Sequence, residues 1–472
     1  MMSRWLTALL ALVLAGCMVG PDYQRPEIQS PDAFEQQTKE GESIANLKWW
    51  ELYEDPQLKQ LIEVALRENN NLAIAIARIE EARAQYGFVR ADLYPRVDAQ
   101  FGATRGDSIG QLIPGANIGI TENYVLAGSA SWEIDLFGKL RRSSEAARAE
   151  LLATEEARRS VMITLVADVA SGYMLLVDLD RRYSIARRTL DTRKESTGIV
   201  QARFDKGTVP LLDLNQAQIE EADAAAEMYS LERDVIKTEN LLSVLLGRNP
   251  GPILRTRDKT FDLRTPVVPA GLPSELLERR PDVRQAEQQL AAQTARIGVA
   301  QAQRFPSLSL TGTFGAASTD MSDLLDGDSK IWDITGNFLS PIFNAGQNKR
   351  RVEVEKARTE QLLNQYQLTV LQAFREVEDA LAEIRTSHAE ALAREAQVKA
   401  ARSGSTLSRA RYNGGVTSYL EVLESDRSLF RAELAESAIR RQQLVGVVAL
   451  YKALGGGWEM EAPVETSEPN AN

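Results

Sequence analysis

Residues 202–219 read ARFDKGTVPLLDLNQAQI, and residues 410–427 read ARYNGGVTSYLEVLESDR. At an offset of 208, Arg203 pairs with Arg411, Phe204 with Tyr412, Gly207 with Gly415 and Leu212 with Leu420. The same offset holds without a gap at Leu246-Gly247 and Leu454-Gly455. Upstream, at an offset of 211, Gly87 matches Gly298 and Tyr94-Pro95 matches Phe305-Pro306. Leu136-Phe137-Gly138-Lys139 matches Ile342-Phe343 followed by Gly346-Gln347. Chance accounts for one short motif but not for matches in the same order across about two hundred residues. The chain is written twice. A first repeat is expected over 61–250 and a second over 272–459, joined by the Pro-rich linker 251–271. The polar tail 460–472 is expected to be disordered.

Each repeat alternates two periodicities. Residues 347–403 contain neither Gly nor Pro over 57 positions. Within them Val370, Val377, Ile384, Ala391 and Val398 recur every seven, interleaved with Phe374, Leu381 and His388. That heptad seam predicts a long helix packed on its neighbours as in a coiled coil, reaching roughly 85 Å. The matching stretch of the first repeat, Arg141 to Phe204, carries Gly172 and Gly198. His388 falls on the stripe with no second His in the chain, so a packed helix contact is expected rather than a metal ligand. Between the helices the period changes to two. Tyr124, Leu126, Ala130, Trp132 and Ile134 alternate with Ser129, Ser131, Glu133 and Asp135, and Val97, Ala99 and Phe101 alternate with Asp98 and Gln100. Leu308, Leu310 and Phe314, then Trp332, Ile334 and Phe338, do the same in the second repeat. Four strands of about eight to ten residues are expected, one hairpin per repeat. Such strands suit either a half-buried soluble sheet or a transmembrane sheet with one lipid face.

The N-terminus favours the membrane. MMSRWLTALLALVLAGC has a positive Arg4 and an apolar stretch from Trp5 to Ala15, too short for a spanning helix but suited to a signal peptide over 1–16. It ends in Leu14-Ala15-Gly16-Cys17, which resembles a bacterial lipobox. That resemblance implies N-palmitoyl and S-diacylglycerol groups on Cys17, a lipid-anchored segment over 17–60, and outer-membrane sorting because Met18 rather than Asp follows. Four strands cannot close a barrel, since known barrels start at eight, and lipid tolerates no open sheet edge. If the strands lie in lipid, several chains share one barrel.

Composition excludes much else. The 472 residues carry Lys+Arg 55 against Asp+Glu 66, a net charge of −11, and 44% hydrophobic residues. A mean hydropathy of −0.27 is far too low for a bundle of membrane helices. An acidic chain with no basic block is no nucleic-acid binder. One His and one Cys leave no zinc site, no disulfide framework and no resident cofactor to expect. Asp205, Asp213 and Glu424 lack a nucleophile or apolar pocket beside them, so no catalytic residue is expected.

A lipobox followed by two copies of helix, β-hairpin, long helix, turn and helix resembles the TolC-like outer-membrane factors, in the lipoprotein branch of OprM and NodT type. The residues that carry this are Trp49-Trp50 ahead of Pro56, Tyr94-Pro95, Phe305-Pro306 and Asp135-Leu136-Phe137-Gly138. With them go Ala453-Leu454-Gly455-Gly456-Gly457-Trp458 and an Arg-x-x-x-Gly at each helix-to-helix turn, Arg203/Gly207 and Arg411/Gly415. The resemblance implies an α+β chain of two tandem repeats that assembles as a homotrimer. Its 12-stranded transmembrane β-barrel would continue into a periplasmic α-helical barrel. From the residues alone two or four chains remain equally open.

It further implies the exit duct of a tripartite efflux or secretion system in the outer membrane. A periplasmic adaptor and an inner-membrane pump of the resistance-nodulation-division type would be its partners. The turns at Arg203/Gly207 and Arg411/Gly415 would be the periplasmic tips that meet the adaptor. Leu420 and Glu424 match the family's constriction residues. Their first-repeat counterparts are Leu212 and Gln216, so the acid occurs at one position of two. Three carboxylates converging in a trimer would repel one another and favour cations. A periplasm-spanning tether would explain the heptads and Cys17 but not the four strands, and the missing catalytic residues disfavour a soluble periplasmic enzyme.

Overall fold

The computed structural model describes residues 18–36, 55–106, 121–255 and 273–456. Cys17, Trp49-Trp50, Trp458, the tail and most of the linker lie outside the described residues. In chain order come α1 (Pro56–Glu68), α2 (Asn70–Ala91), β1 (Arg96–Gly106), β2 (Thr121–Ile134), α3 (Lys139–Asp205) and α4 (Leu211–Leu245). The second repeat follows with α5 (Pro273–Arg279), α6 (Pro281–Ala302), β3 (Ser307–Ser318), β4 (Lys330–Leu339), α7 (Gln347–Asn413) and α8 (Tyr419–Ala453). Even the lengths repeat: α3 and α7 have 67 residues each, α4 and α8 have 35 each. Glycine does not interrupt α3 or α7, because a lone Gly costs only about 1 kcal/mol against dozens of helical hydrogen bonds.

The chain divides into two compact units. One comprises the residues up to Glu27 with Ala77–Glu155 and Gln285–Leu368; the other comprises Ile28–Ile76, Glu156–Arg284 and Thr369–Asn472. The first unit holds the sheet, ordered β1-β2-β3-β4 and antiparallel throughout. The two expected hairpins are present and join through β2 and β3, which pair from Tyr124–Ser318 to Ile134–Leu308. β4 has the expected 10 residues, whereas β1, β2 and β3 run 11 to 14, because pairing continues past the alternating core into Thr, Asn and Ser.

Register sorts the side chains onto two faces. Val97, Phe101, Leu126, Trp132, Leu310, Phe314, Trp332, Ile334 and Phe338 share one. Asp98, Gln100, Ser129, Ser131, Thr311, Thr313, Asp333 and Thr335 share the other. Among the described residues no layer covers either face: all of β4 and nearly all of β1 is exposed, Trp332 at 74%. A half-buried soluble sheet would hide its apolar face, so that reading fails. The outer edges of β1 and β4 have no strand partner among the described residues.

An N-terminal strap, invisible in the sequence patterns, ties residues 18–25 into this unit. Val19 N donates to Phe137 O at 3.2 Å. The Arg142 guanidinium, 2% exposed, donates to Val19 O, Gly20 O and Asp22 Oδ1 and pairs with Glu145 at 2.8 Å. Gly298 leaves the room for it, since a Cβ there would come within 2.9 Å of Val19 O. Tyr23 and Arg25 both reach Glu287.

The second unit is helical, with a core of Leu58, Ile62, Leu176, Leu242, Leu246, Val377, Val447 and Leu450. Asp55 caps α1 through the amides of Gln57 and Leu58 and also accepts from Tyr173 Oη at 2.9 Å. The seam of α7 holds at Val370, Val377, Leu381 and Val398, all buried. At His388 it does not. His388 is exposed and Ser387 takes the buried position, so the expected packed histidine is absent from this protomer. Ala373 and Ala380, fourteen and seven residues before Ser387, are buried too, so the second inward row runs through 373, 380 and 387, one residue ahead of the Phe374–Leu381–His388 stripe.

Candidate functional site

Both helix-to-helix turns close with the same hydrogen bonds. Gly207 N donates to Phe204 O and Thr208 N to Arg203 O; Gly415 N donates to Tyr412 O and Val416 N to Arg411 O. This is the Schellman motif, and its glycine must be left-handed. Gly207 and Gly415 sit at φ +71° and +73°. The Arg-x-x-x-Gly spacing is therefore the spacing of the cap itself. Arg203 and Arg411 contribute the carbonyls that close it, while their guanidinia do different work. Arg203 lies over the Tyr412 ring at 5.0 Å, linking the hairpins, and Arg411 pairs with Glu421 at 3.4 Å. A Cβ on either glycine would meet nothing within 4 Å, so both tips stand open to solvent.

Behind the tips the hairpins share a small core of Val200, Leu214, Ala217, Tyr419, Val422 and Leu423. Tyr412 and Tyr419 pack tilted, with ring centroids 5.3 Å apart. Burial above all, helped by Tyr412 and Asp426, pushes the Tyr419 hydroxyl up to about 12. The first hairpin's own seam is apolar at Val200 and Ala217. The corresponding seam between α7 and α8 is polar: Ser408 bonds Ser425 at 2.5 Å, and Asp426 accepts from Ser405 at 2.6 Å and from Arg409 at 2.8 Å. These polar partners were missed in the sequence. The offset of 208 that aligns Val200 with Ser408 and Ala217 with Ser425 was the signal that would have found them.

Leu420 and Glu424 are one turn apart on α8, and both are exposed. Leu420 is 57% exposed and the Glu424 side chain 65%. Glu424 has only a distant neighbour, Arg427 at 3.9 Å, whose guanidinium is committed to the buried Glu220. Arg193 holds Glu220 from the other side at 2.9 Å. Leu212 is exposed like Leu420, and Gln216 occupies the place of the acid. The structure thus brings Leu420 and Glu424 onto one free face and leaves Asp205 and Asp213 apart from it. Asp205 accepts from Gln201, and Asp213 sits in the first turn of α4. Among the described residues no His, Cys, Asp or Glu cluster suits a metal ion.

The sequence model for outer membrane efflux proteins matches residues 61–248 and 272–456. The toluene efflux pump outer membrane protein TtgC of Pseudomonas putida is 36% identical over 475 residues, covering 97% of this chain and 98% of that protein. The cation efflux system protein CusC of Escherichia coli K12 is 34% identical over 454 residues, 95% of this chain and 98% of that one. The open state of the Neisseria gonorrhoeae MtrE outer membrane channel superposes with a TM-score of 0.84 at 31% identity, covering 93% of this chain and 98% of MtrE.

Proposed function

This chain belongs to the outer membrane efflux protein family and is an outer-membrane efflux channel, and from that premise we propose a passive homotrimeric exit duct. Members of the family work in tripartite systems with an adaptor and an inner-membrane pump. The finer reading for this chain is a duct that performs no catalysis. Its tips, Arg203/Gly207 and Arg411/Gly415, receive a periplasmic adaptor, and a resistance-nodulation-division pump supplies the energy. Leu420 and Glu424 line the periplasmic constriction. The N-palmitoyl and S-diacylglycerol groups sit on Cys17, immediately before the strap that Arg142 holds.

One observation carries the reading: a four-stranded sheet with an apolar face, a polar face and two open edges. In lipid every backbone group must find a partner, and four strands are too few to close alone. Three copies give twelve strands, a polar lumen and an apolar exterior. The names of equally similar relatives span toluene and cations, which fits a conduit that holds its cargo loosely. Electron microscopy of the detergent-extracted protein tests this directly, together with conductance in planar bilayers. A hollow three-fold particle that passes ions without any energy source is expected. A solid rod, or a particle of two or four chains, overturns it.

A further inference from the structure

The two strand-to-helix junctions at the foot of the sheet carry equivalent cations but not equivalent acids. Lys139, Arg141 and Arg142 open α3, and each has an opposite charge: Glu133 at 2.6 Å, Asp135 at 3.3 Å, and Asp22 together with Glu145. The offset of 208 carries Lys139 onto Gln347, Arg141 and Arg142 onto Lys349 and Arg350, and Ser143 onto Arg351. The offset of 206, which aligns Leu136-Phe137 with Ile342-Phe343, puts Leu339 and Pro341 where Glu133 and Asp135 stand. Glu353, paired with Arg350 at 2.6 Å, is the acid that the second junction keeps. Among the described residues Lys349 and Arg304 have no ion-pair partner, and Arg351 reaches the uncharged Gln303. The first junction is neutralised from within the chain. The second is not.

These cations gather where α6 ends. Gln303 accepts Asn348 Nδ2 at 2.8 Å through its carbonyl and Arg351 through its side chain, which brings Arg304 to the first turn of α7. A cleft of about 440 Å³ opens there, walled by Ile134, Leu136, Phe305 and Pro341. Ile134 lies in register with the apolar face of the sheet, opposite Leu308. The charged groups lining the cleft are Glu133, Asp135, Lys139 and Arg351. Lys139 pairs with Glu133 and Asp135 with Arg141, so Arg351 is the one left without an opposite charge among the described residues. Bare apolar surface adjoins it: Phe338 is 67% exposed and Ile342 90%.

We propose that the Arg351 cleft, with Arg304, Lys349 and Arg350 at its rim, binds the phosphate of an anionic phospholipid from the periplasmic leaflet of the outer membrane. This rests on the reading of the sheet as the membrane-spanning part of the duct. On that reading β4 leaves the bilayer at Leu339, and the cations follow ten to twelve residues later, at the depth of the headgroups. A guanidinium matches two phosphate oxygens at once, and clustered Lys and Arg beside a bilayer attract anionic lipid. Their aliphatic stems lie along apolar surface while the charged ends stay at the headgroups. The apolar walls favour a lipid over a soluble anion, since an ion alone would leave Phe338 and Ile342 bare. At the first junction Asp22, Glu133 and Asp135 supply the negative charge, so each chain holds one such site.

Native mass spectrometry of the full-length protein, purified in detergent and mixed with phosphatidylglycerol or phosphatidylethanolamine, counts the lipids held. Flotation after reconstitution into vesicles of the same lipids checks insertion separately. One phosphatidylglycerol per chain should be retained about ten-fold better than phosphatidylethanolamine. Lys349→Gln with Arg351→Gln should remove that preference, and neither side chain holds an acid that the change would strand. Leu339→Glu with Pro341→Asp restores the acids of the first junction and should remove the preference while every cation remains. Equal retention of the two lipids, a preference that survives either double variant, or displacement of phosphatidylglycerol by equimolar inorganic phosphate overturns the inference. If the protein still floats with the vesicles, those outcomes leave the membrane reading standing; a protein that floats with neither lipid overturns both.

Discussion

The two tip hairpins share a cap and differ in the seam behind it. Both end in the same left-handed glycine, with the same pair of hydrogen bonds from equivalent residues. Yet at equivalent seam positions the first hairpin packs Val200 and Ala217 by burial, whereas the second sets Ser408–Ser425 and Ser405–Asp426–Arg409 in hydrogen bonds. Duplication preserved the backbone geometry, which the cap sets locally, and left the side-chain chemistry free to diverge. The energetic consequence is direct. Water replaces a broken hydrogen bond nearly in kind, at a net cost of about 1 kcal/mol, while exposing an apolar seam forfeits about 25 cal/mol per Å². At these positions the second hairpin, which also carries Leu420 and Glu424, parts at lower cost.

The largest expected effect breaks both tips alike. Gly207→Trp and Gly415→Trp each add bulk in open space and about 1–2 kcal/mol of backbone strain, too little to unfold the chain. Each should abolish co-purification with the adaptor. Loss from one variant alone would confine docking to that hairpin and end the equivalence of the caps. The next effect separates the hairpins. Leu420→Ala with Glu424→Ala should raise single-channel conductance in planar bilayers several-fold and weaken cation preference. Leu212→Ala with Gln216→Ala should leave cation preference unchanged. Equal responses would place the constriction elsewhere.

Smaller effects sharpen the contrast between the seams. Val200→Ala should destabilise the first hairpin by about 2 kcal/mol through a cavity, independent of salt. Asp426→Asn should cost the second about 1–2 kcal/mol, less at high ionic strength. Hydrogen exchange of the tip peptides measures both, and a loss on Val200→Ala that shrinks at high ionic strength would contradict the assignment. The smallest effect is alkaline. Tyr419 stays neutral up to about 12 in the folded chain because it is buried, whereas in the unfolded chain it ionises near 10. Its contribution is intact below pH 10 and is lost as pH rises towards 12, about 1 kcal/mol by pH 11. Tyr419→Phe should flatten that stretch of the pH profile; an unchanged slope would show that another group is responsible.

Much of this molecule was legible before any coordinates. The repeat, the strand periodicity, the long helices and the Arg-x-x-x-Gly turns are local patterns, and a cap or an alternating strand is specified by residues within one turn of each other. Leu420 and Glu424 could be placed on one face from their spacing alone. Tertiary structure decided the rest, because it joins residues that sequence distance keeps apart. The β2–β3 pairing across repeats depends on which strand edges meet. The clasp of Arg142 on Val19, Gly20 and Asp22 spans more than a hundred residues, and no periodicity announces it. Ser387 rather than His388 faces inward, because the buried row follows the small residues Ala373, Ala380 and Ser387, which hydrophobicity alone does not single out. The bare face of the sheet was likewise undecided: alternation states that two faces differ, and only packing shows that neither is covered by the described residues.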